Sequence, residues 1–263
     1  MEDHDGAYRA WKDAGVRERI ILHIDAHLDW NWIHDRDPLE LLEAQSLRQI
    51  DAMLKDPCLW NLSHRRHEEL VHIGNYLYPA LRDGMVREFY WIVPDRFMAT
   101  RKAQQRLLGM LQSMGRVNPR RLSKLRLENG RLRGEIDGRR LVACTLAELP
   151  PLDEPVLLDI DTDFLLEEPF ESARDSKDLW TQLPWLWPEG LVERLNAKGV
   201  RRDFVTIAYS VNGGFTPLSY KYLGDELALR LRHPALPARE REALGHKQRG
   251  AGHRSRDELD QAV

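Results

Sequence analysis

Two short apolar runs, each breaking off in a burst of carboxylates, constrain this chain most. The first is Ile20 to Ile24 (IILHI), which leads into Asp25, His27 and Asp29. The second is Val156 to Ile160 (VLLDI), which carries Asp159 and leads into Asp161 and Asp163. Runs this short, aliphatic and free of polar alternation predict strands buried on both faces, as in a parallel sheet. Phe89 to Val93 (FYWIV, stopped by Pro94) and Phe204 to Ala208 (FVTIA) read the same way. Segments of helical period separate them: Pro38 to Leu54 behind an Asp37 cap, Ala99 to Met114, Pro188 to Lys198 ending at Gly199, and Leu218 to Leu231. Strands alternating with helices predict a parallel sheet covered on both sides. In such sheets, sites form outside the carboxyl ends of the strands, where both carboxylate bursts lie.

The stretch from Lys124 to Thr145 has another texture. Asn129-Gly130 and Asp137-Gly138, each flanked by alternating residues, are two-residue hairpin signals. They predict a small antiparallel insertion at 124–145 within one α/β domain over 1–232. From Pro234 onward the chain has no aromatic residue and is rich in Arg, Gly, His and Ala, which predicts a weakly ordered tail over 233–263. Lys plus Arg number 39 against 42 Asp plus Glu, a net charge of −3, so no basic footprint for nucleic acid is present. Cys58 and Cys144 form no C-x-x-C pair, which excludes a thiolate zinc motif. The polar start, Met1 to Asp5, has no apolar signal region behind it, and no apolar run reaches membrane-spanning length. A cytoplasmic protein with no membrane or nucleic-acid partner is the expectation; the sequence leaves the oligomeric state open.

If the first strand ran on to Asp29, its alternation would set His23, Asp25, His27 and Asp29 on one face. The same period would align Asp159, Asp161 and Asp163. Carboxylates crowded in a buried site repel and are pushed toward protonation. A pair of divalent cations removes that conflict. Mostly oxygen ligands with one or two imidazoles suit Mn²⁺ better than Zn²⁺. Asp159 by itself fits either ligation or a hydrogen-bonding role behind the ligands.

Asp25 to Asn31 (DAHLDWN) resembles the D-A-H-x-D-x-N segment of the arginase and agmatinase ureohydrolases, and Leu158 to Phe164 (LDIDTDF) resembles their D-x-D segment. Glu2-Asp3-His4, His23 to Asp29, Asn75 to Pro79 (NYLYP) and Ser210 to Pro217 (SVNGGFTP) extend the likeness over residues 2 to 230. Together they resemble more specifically a divergent arginase-like family that includes the peptide arginases. The resemblance implies an arginase/deacetylase-like three-layer α/β fold with a central, mainly parallel sheet, and two Mn²⁺. It implies His4, Asp25, Asp29 and Asp161 as ligands of one ion. Asp25, His27, Asp161 and Asp163 would hold the other, with Asp25 and Asp161 bridging. An alternative register uses Asp159 and Asp161; the later pair is preferred because it lies nearer the strand's open end.

The implied activity is hydrolysis of arginine guanidinium groups in a ribosomally made precursor peptide, giving ornithine and urea. Asp29 would orient the attacking hydroxide and His72 would shuttle a proton to the leaving amine. Asn31 matches an arginase residue that holds substrate, and Asn75 is a second substrate-binding candidate. The glutamate that meets the guanidinium in arginases has no counterpart here. Two rival readings are a ureohydrolase of free arginine or agmatine, and a metal-binding domain without turnover. Candidate walls for a peptide groove are the Lys124 to Thr145 hairpins and Trp180, Trp185 and Trp187.

Overall fold

The computed structural model describes residues 1–30, 46, 73–117, 122–166 and 183–232. The helix expected over Pro38 to Leu54, the 233–263 tail, Asn31, His72 and Trp180 lie outside the described residues. In chain order the elements are α1 (Gly6–Asp13), β1 (Arg19–Ile24), α2 (Leu77–Arg82), β2 (Val86–Ile92), α3 (Arg101–Val117), β3 (Leu122–Glu128), β4 (Arg131–Ile136), β5 (Arg139–Cys144), β6 (Val156–Asp161), α4 (Asp163–Leu166), α5 (Pro188–Ala197), β7 (Arg202–Ala208) and α6 (Tyr222–Arg232). Short 3₁₀ turns at Asp95–Phe97 and Leu218–Tyr220 precede α3 and α6. The latter takes the first turn of the helix expected from Leu218.

The seven strands form one sheet in the order β3-β4-β5-β2-β1-β6-β7. From β5 to β7 all neighbours are parallel, and β3 and β4 are antiparallel at one edge. Alternate residues of the apolar strands go to opposite faces. Ile21, Phe89, Trp91 and Leu157 pack with Trp11 of α1, Leu81 of α2 and Leu111 of α3. Leu22, Ile24, Ile92 and Leu158 pack with Leu195 of α5 and Leu227 of α6. Helices on both faces bury β1 from Ile20 onward and β6 throughout, so these runs show no polar alternation, whereas the expectation for Phe204 to Ala208 is corrected: β7 is an edge strand with Val205 exposed. Each such side chain contributes about 1.5–3 kcal/mol by leaving water.

Both hairpin turns form where the sequence places them, with φ of 48° and 72° at Asn129-Gly130 and 46° and 74° at Asp137-Gly138. Positive φ at both central residues matches the twist of the flanking strands. The expected antiparallel meander forms, and its last strand also joins the central sheet. β5 pairs in parallel with β2, from Glu88 opposite Arg140 to Ile92 opposite Cys144, so the hairpins extend the central sheet. Leu141 to Cys144 is itself a fully buried apolar run, and its parallel partner lies far upstream in the chain. The outer edge, β3, carries a register shift between Ser123 and Arg126, with Lys124 at φ 53°. A bulged, charged edge resists pairing with a second sheet.

The chain builds outward from β1 through β2 to β5, then crosses back to lay β6 and β7 on the other side of β1. Strand order therefore reverses between β1 and β6, and a crevice opens at their carboxyl ends. Among the described residues, no helix is long and apolar enough to cross a membrane.

Candidate metal centre

Both carboxylate bursts meet in that crevice, but by a different backbone route from the one alternation predicts. β1 stops at Ile24, and Asp29 has φ 48°, so His23, Asp25, His27 and Asp29 do not share one strand face. The loop turns because the His27 amide donates to Asp25 Oδ1 at 2.6 Å. In the same way β6 stops at Asp161, whose Oδ1 accepts from the Asp163 amide at 3.0 Å, and Asp163 opens α4. Local carboxylate-to-amide bonds outcompete continuation of the strand at both ends. His4 arrives from the segment before α1. That segment is tied to the chain after β7 by the Tyr209 amide on the Met1 carbonyl (3.1 Å) and the Ser210 amide on the Glu2 carbonyl (2.9 Å).

Three overlapping groups of ligand atoms result: His4, Asp25, Asp29 and Asp161; Asp25, His27 and Asp163; and His4, His23 and Asp159. In the first, His4 Nδ1 lies 3.1 Å from Asp25 Oδ2, 3.1 Å from Asp29 Oδ2 and 3.2 Å from Asp161 Oδ2. In the second, His27 Nδ1 lies 2.7 Å from Asp163 Oδ2 and 3.6 Å from Asp25 Oδ1. His4 Nδ1 and Asp25 Oδ2 are wholly buried, and neither has a hydrogen-bond partner. They are close without being aligned. A cation placed among these atoms would satisfy their lone pairs. The donor set therefore fits hard divalent ions, and this buried His/Asp cluster could hold them.

Below lies a tier built by cross-strand register. His23 of β1 sits opposite Asp159 of β6, which sits opposite Thr206 of β7. Asp159 Oδ2 receives the Tyr76 hydroxyl at 2.6 Å and faces His23 Nδ1 and His4 Nε2, each at 3.1 Å. Its Oδ1 receives the Thr206 hydroxyl at 2.5 Å. Asp161 and Asp163, not Asp159, stand beside the loop residues Asp25, His27 and Asp29.

The electrostatics divide the same way. Burial pushes the Asp29 and Asp161 carboxyls up, and the charge of Asp25 adds to it. Asp163 is raised by burial and by Asp161. Burial alone would raise Asp159 too, but the imidazoles of His4 and His23 reverse it and hold this carboxyl well below the usual range. Burial opposes charge on His4 and His27, yet Asp159 and Asp163 respectively outweigh it and lift both well above an ordinary imidazole. Tyr76 is raised well above a free phenol by burial and then by the carboxylates, so it stays protonated and donates.

A cavity of about 260 Å³ opens onto the centre. Asp29, Asp161 and Asp163 border it, and Leu28, Ile73, Met110, Met114 and Phe215 wall it. Compared with models of known protein families and with curated proteins, the chain matches none. The centre's chemistry is read from its own residues. Asn75 is wholly buried, and Ile73 and Gly74 beside it line the cavity instead. Trp185, Trp187 and the hairpins do not border it: the Trp185 indole donates to the Phe164 carbonyl at 2.5 Å, and Trp187 caps α5.

Four contributors carried no assigned role in the sequence. Tyr76 and Thr206 serve Asp159, the Ser210 hydroxyl donates to Asp161 Oδ2, and the Phe215 ring meets the His27 ring at 5.0 Å. NYLYP and SVNGGFTP contain three of them, so the segments were visible while the contacts were not. Thr206 sits in an apolar strand with nothing to mark it.

Proposed function

We propose that this protein is a Mn²⁺-dependent hydrolase of guanidinium groups, acting on arginine side chains in a precursor peptide to give ornithine and urea. The observation that carries this reading is the pairing of two ligand groups through Asp25 beneath one cavity. His4, Asp25, Asp29 and Asp161 would hold one ion. Asp25, His27, Asp161 and Asp163 would hold the other. Bound there, the ions would supply a water-derived nucleophile at neutral pH and Lewis-acid charge.

The chain's own residues do the rest. With Asp25, the carboxylates of Asp29, Asp161 and Asp163 would balance the charge of the two ions, so that a guanidinium cation meets a centre without net repulsion. Leu28, Ile73, Met110 and Met114 take the methylenes of its stem. Asp29 borders the cavity and accepts a hydrogen bond from the attacking water, aiming it at the guanidinium carbon. Attack forms a C–O bond, the bond from that carbon to the side-chain nitrogen breaks, and that nitrogen leaves as an amine once protonated. Among the described residues lining the cavity none is Lys or Arg, so no fixed positive charge there favours the carboxylate of free arginine. Peptidyl arginine has no such charge to satisfy, and discrimination of this kind rests on dedicated polar groups. Agmatine also lacks a carboxylate and is the small competitor that these walls admit.

Mass spectrometry of an arginine-containing peptide, incubated with the protein and Mn²⁺, tests the proposal. Loss of CH₂N₂ per arginine with matching urea is the expected result. Its kcat/KM should exceed that of free arginine by at least about 100-fold, or ~2.7 kcal/mol. Equal turnover of the two replaces the peptide reading by a small-molecule one, and absence of urea from peptide, arginine and agmatine ends the hydrolase reading.

A further inference from the structure

We propose that Asp159, backed by Tyr76, is a positioning group that fixes His4 for the inner ion while touching no ion itself. This rests on the reading of the centre as a metal site, and goes beyond it by assigning work to a buried tier that metal ligation leaves unused.

His4 lies between two sets of oxygens. Its Nδ1 faces Asp25, Asp29 and Asp161, and its Nε2 faces Asp159 Oδ2 at 3.1 Å and the Tyr76 oxygen at 3.0 Å. A neutral imidazole carries one N–H. An ionised carboxylate only accepts, and the Tyr76 hydrogen is committed to Asp159 at 2.6 Å. Both groups at Nε2 are therefore acceptors, which places the His4 proton on Nε2. The Nδ1 lone pair is left pointing at the three carboxylates, in the form a metal ion requires.

Asp159 itself is spent. Its Oδ1 receives Thr206, and its Oδ2 serves Tyr76, His23 and His4. His23 has no free lone pair either, since its Nδ1 faces Asp159 and its Nε2 faces the His27 carbonyl at 3.2 Å. The third cluster, His4 with His23 and Asp159, is thus a hydrogen-bonded anchor and not a third ion site. Its placement follows from strand register, because β1, β6 and β7 bring His23, Asp159 and Thr206 level with one another. The Tyr76 ring adds packing against His4 (centroids 4.6 Å apart) and Trp11 (5.8 Å).

The test is Mn²⁺ titration of the full chain and of two variants, followed by equilibrium dialysis and electron paramagnetic resonance. Asp159→Asn preserves shape but sets an amide N–H against donors. Tyr76→Phe keeps the ring and removes only the hydroxyl. Wild type is expected to take up two ions that are magnetically coupled. Asp159→Asn should weaken one of the two by about 10–100-fold, leaving an uncoupled single-ion spectrum at low Mn²⁺. Tyr76→Phe should shift the same ion in the same direction by less. A purely structural role would lower the thermal midpoint but leave both affinities and the coupling unchanged at folding temperatures, and that result overturns the proposal. Two ions in wild type with unaltered binding in both variants overturns the positioning role alone. No Mn²⁺ binding by wild type overturns the metal reading with it. If Asp159→Asn does not fold, Tyr76→Phe decides, and unchanged affinity there refutes the inference.

Discussion

The inner and outer halves of the centre use the same residue types and are held in opposite ways. The inner half, around His4, is buried on every side but one, where Asp29 and Asp161 reach the cavity. Asp25 and Asp161 lie above it, and Asp159, His23, Tyr76 and Thr206 lie below, all buried. The outer half ends at His27, whose side chain is 34% exposed and whose ring leans on Phe215 at the cavity. Burial makes every uncompensated charge expensive, so the inner half needs a complete hydrogen-bonded tier behind it. Water can reach the outer half through the cavity. On the proposed reading, one centre thus separates two requirements: a buried seat that would fix geometry, and an open seat that would meet the reacting group.

Removing Asp161, which with Asp25 links the two halves, should have the largest effect. Asp161 faces His4 through Oδ2 and holds the Asp163 amide through Oδ1. Asp161→Ala is expected to lose both ions and to reduce urea release at least about 1000-fold, or ~4 kcal/mol. Metal analysis alongside the assay checks this; retention of two ions would mean that the halves are not joined through Asp161. His27→Ala comes next. It should lose the outer ion, keep the inner one and lower the thermal midpoint of the metal-free protein, because buried Asp163 loses the imidazole 2.7 Å away. Loss of both ions from His27→Ala would show that the inner seat does not stand alone.

The unequal legibility of the two halves in the sequence has a physical cause. Ligand-type residues at the ends of apolar strands announce themselves, because an apolar run ending in Asp and His has few other uses. The switch point follows from alternating strands and helices. Alternation carries β1 past its real end, because a carboxylate-to-amide bond at Asp25 stops the strand and leaves no mark in the period. β5 was read only as a hairpin arm because its second partner, β2, is remote in sequence. The lower tier is the least legible part. Thr206 and Tyr76 are ordinary residues in apolar surroundings, and their roles come from strand register and from how the 73–76 turn packs.

Acidity supplies a further contrast. His4 and His27 are raised above the ordinary 6.5. A raised folded-state value adds stability that is full below 6.5 and is lost as pH climbs through the folded value. Asp29, Asp161 and Asp163 are raised above 3.8, so their protonation also favours the fold and its loss on raising pH weakens it. Asp159 runs the other way. Its contribution is present above 3.8 and is lost only as pH falls through its lowered value. The metal-free protein should therefore melt at lower temperature as pH rises from about 6.5 to 9. Mn²⁺ needs deprotonated ligands and binds more tightly over the same range. The gap between Mn²⁺-loaded and metal-free midpoints should widen with pH, reaching about 2.7 kcal/mol of added stability at a hundred times Kd. Calorimetry on both forms at pH 6 and pH 8.5 measures it, and a gap that narrows would contradict the assignment of these groups as ligands.

The smallest effect separates the stability of the lower tier from its positioning role. The Thr206 hydroxyl donates to Asp159 Oδ1 and accepts from the Trp11 indole at 3.3 Å. Thr206→Val keeps the shape and removes both bonds, leaving buried polar groups unpaired on either side of it. That should cost about 1–3 kcal/mol of folding stability. Tyr76, His23 and His4 all meet the other oxygen, Oδ2, so the orientation of His4 should survive. The variant is expected to melt earlier than wild type while binding two Mn²⁺ with unchanged affinity. If Thr206→Val also strips the inner ion, the tier acts as one rigid body, and stability and positioning cannot be divided between the two oxygens of Asp159.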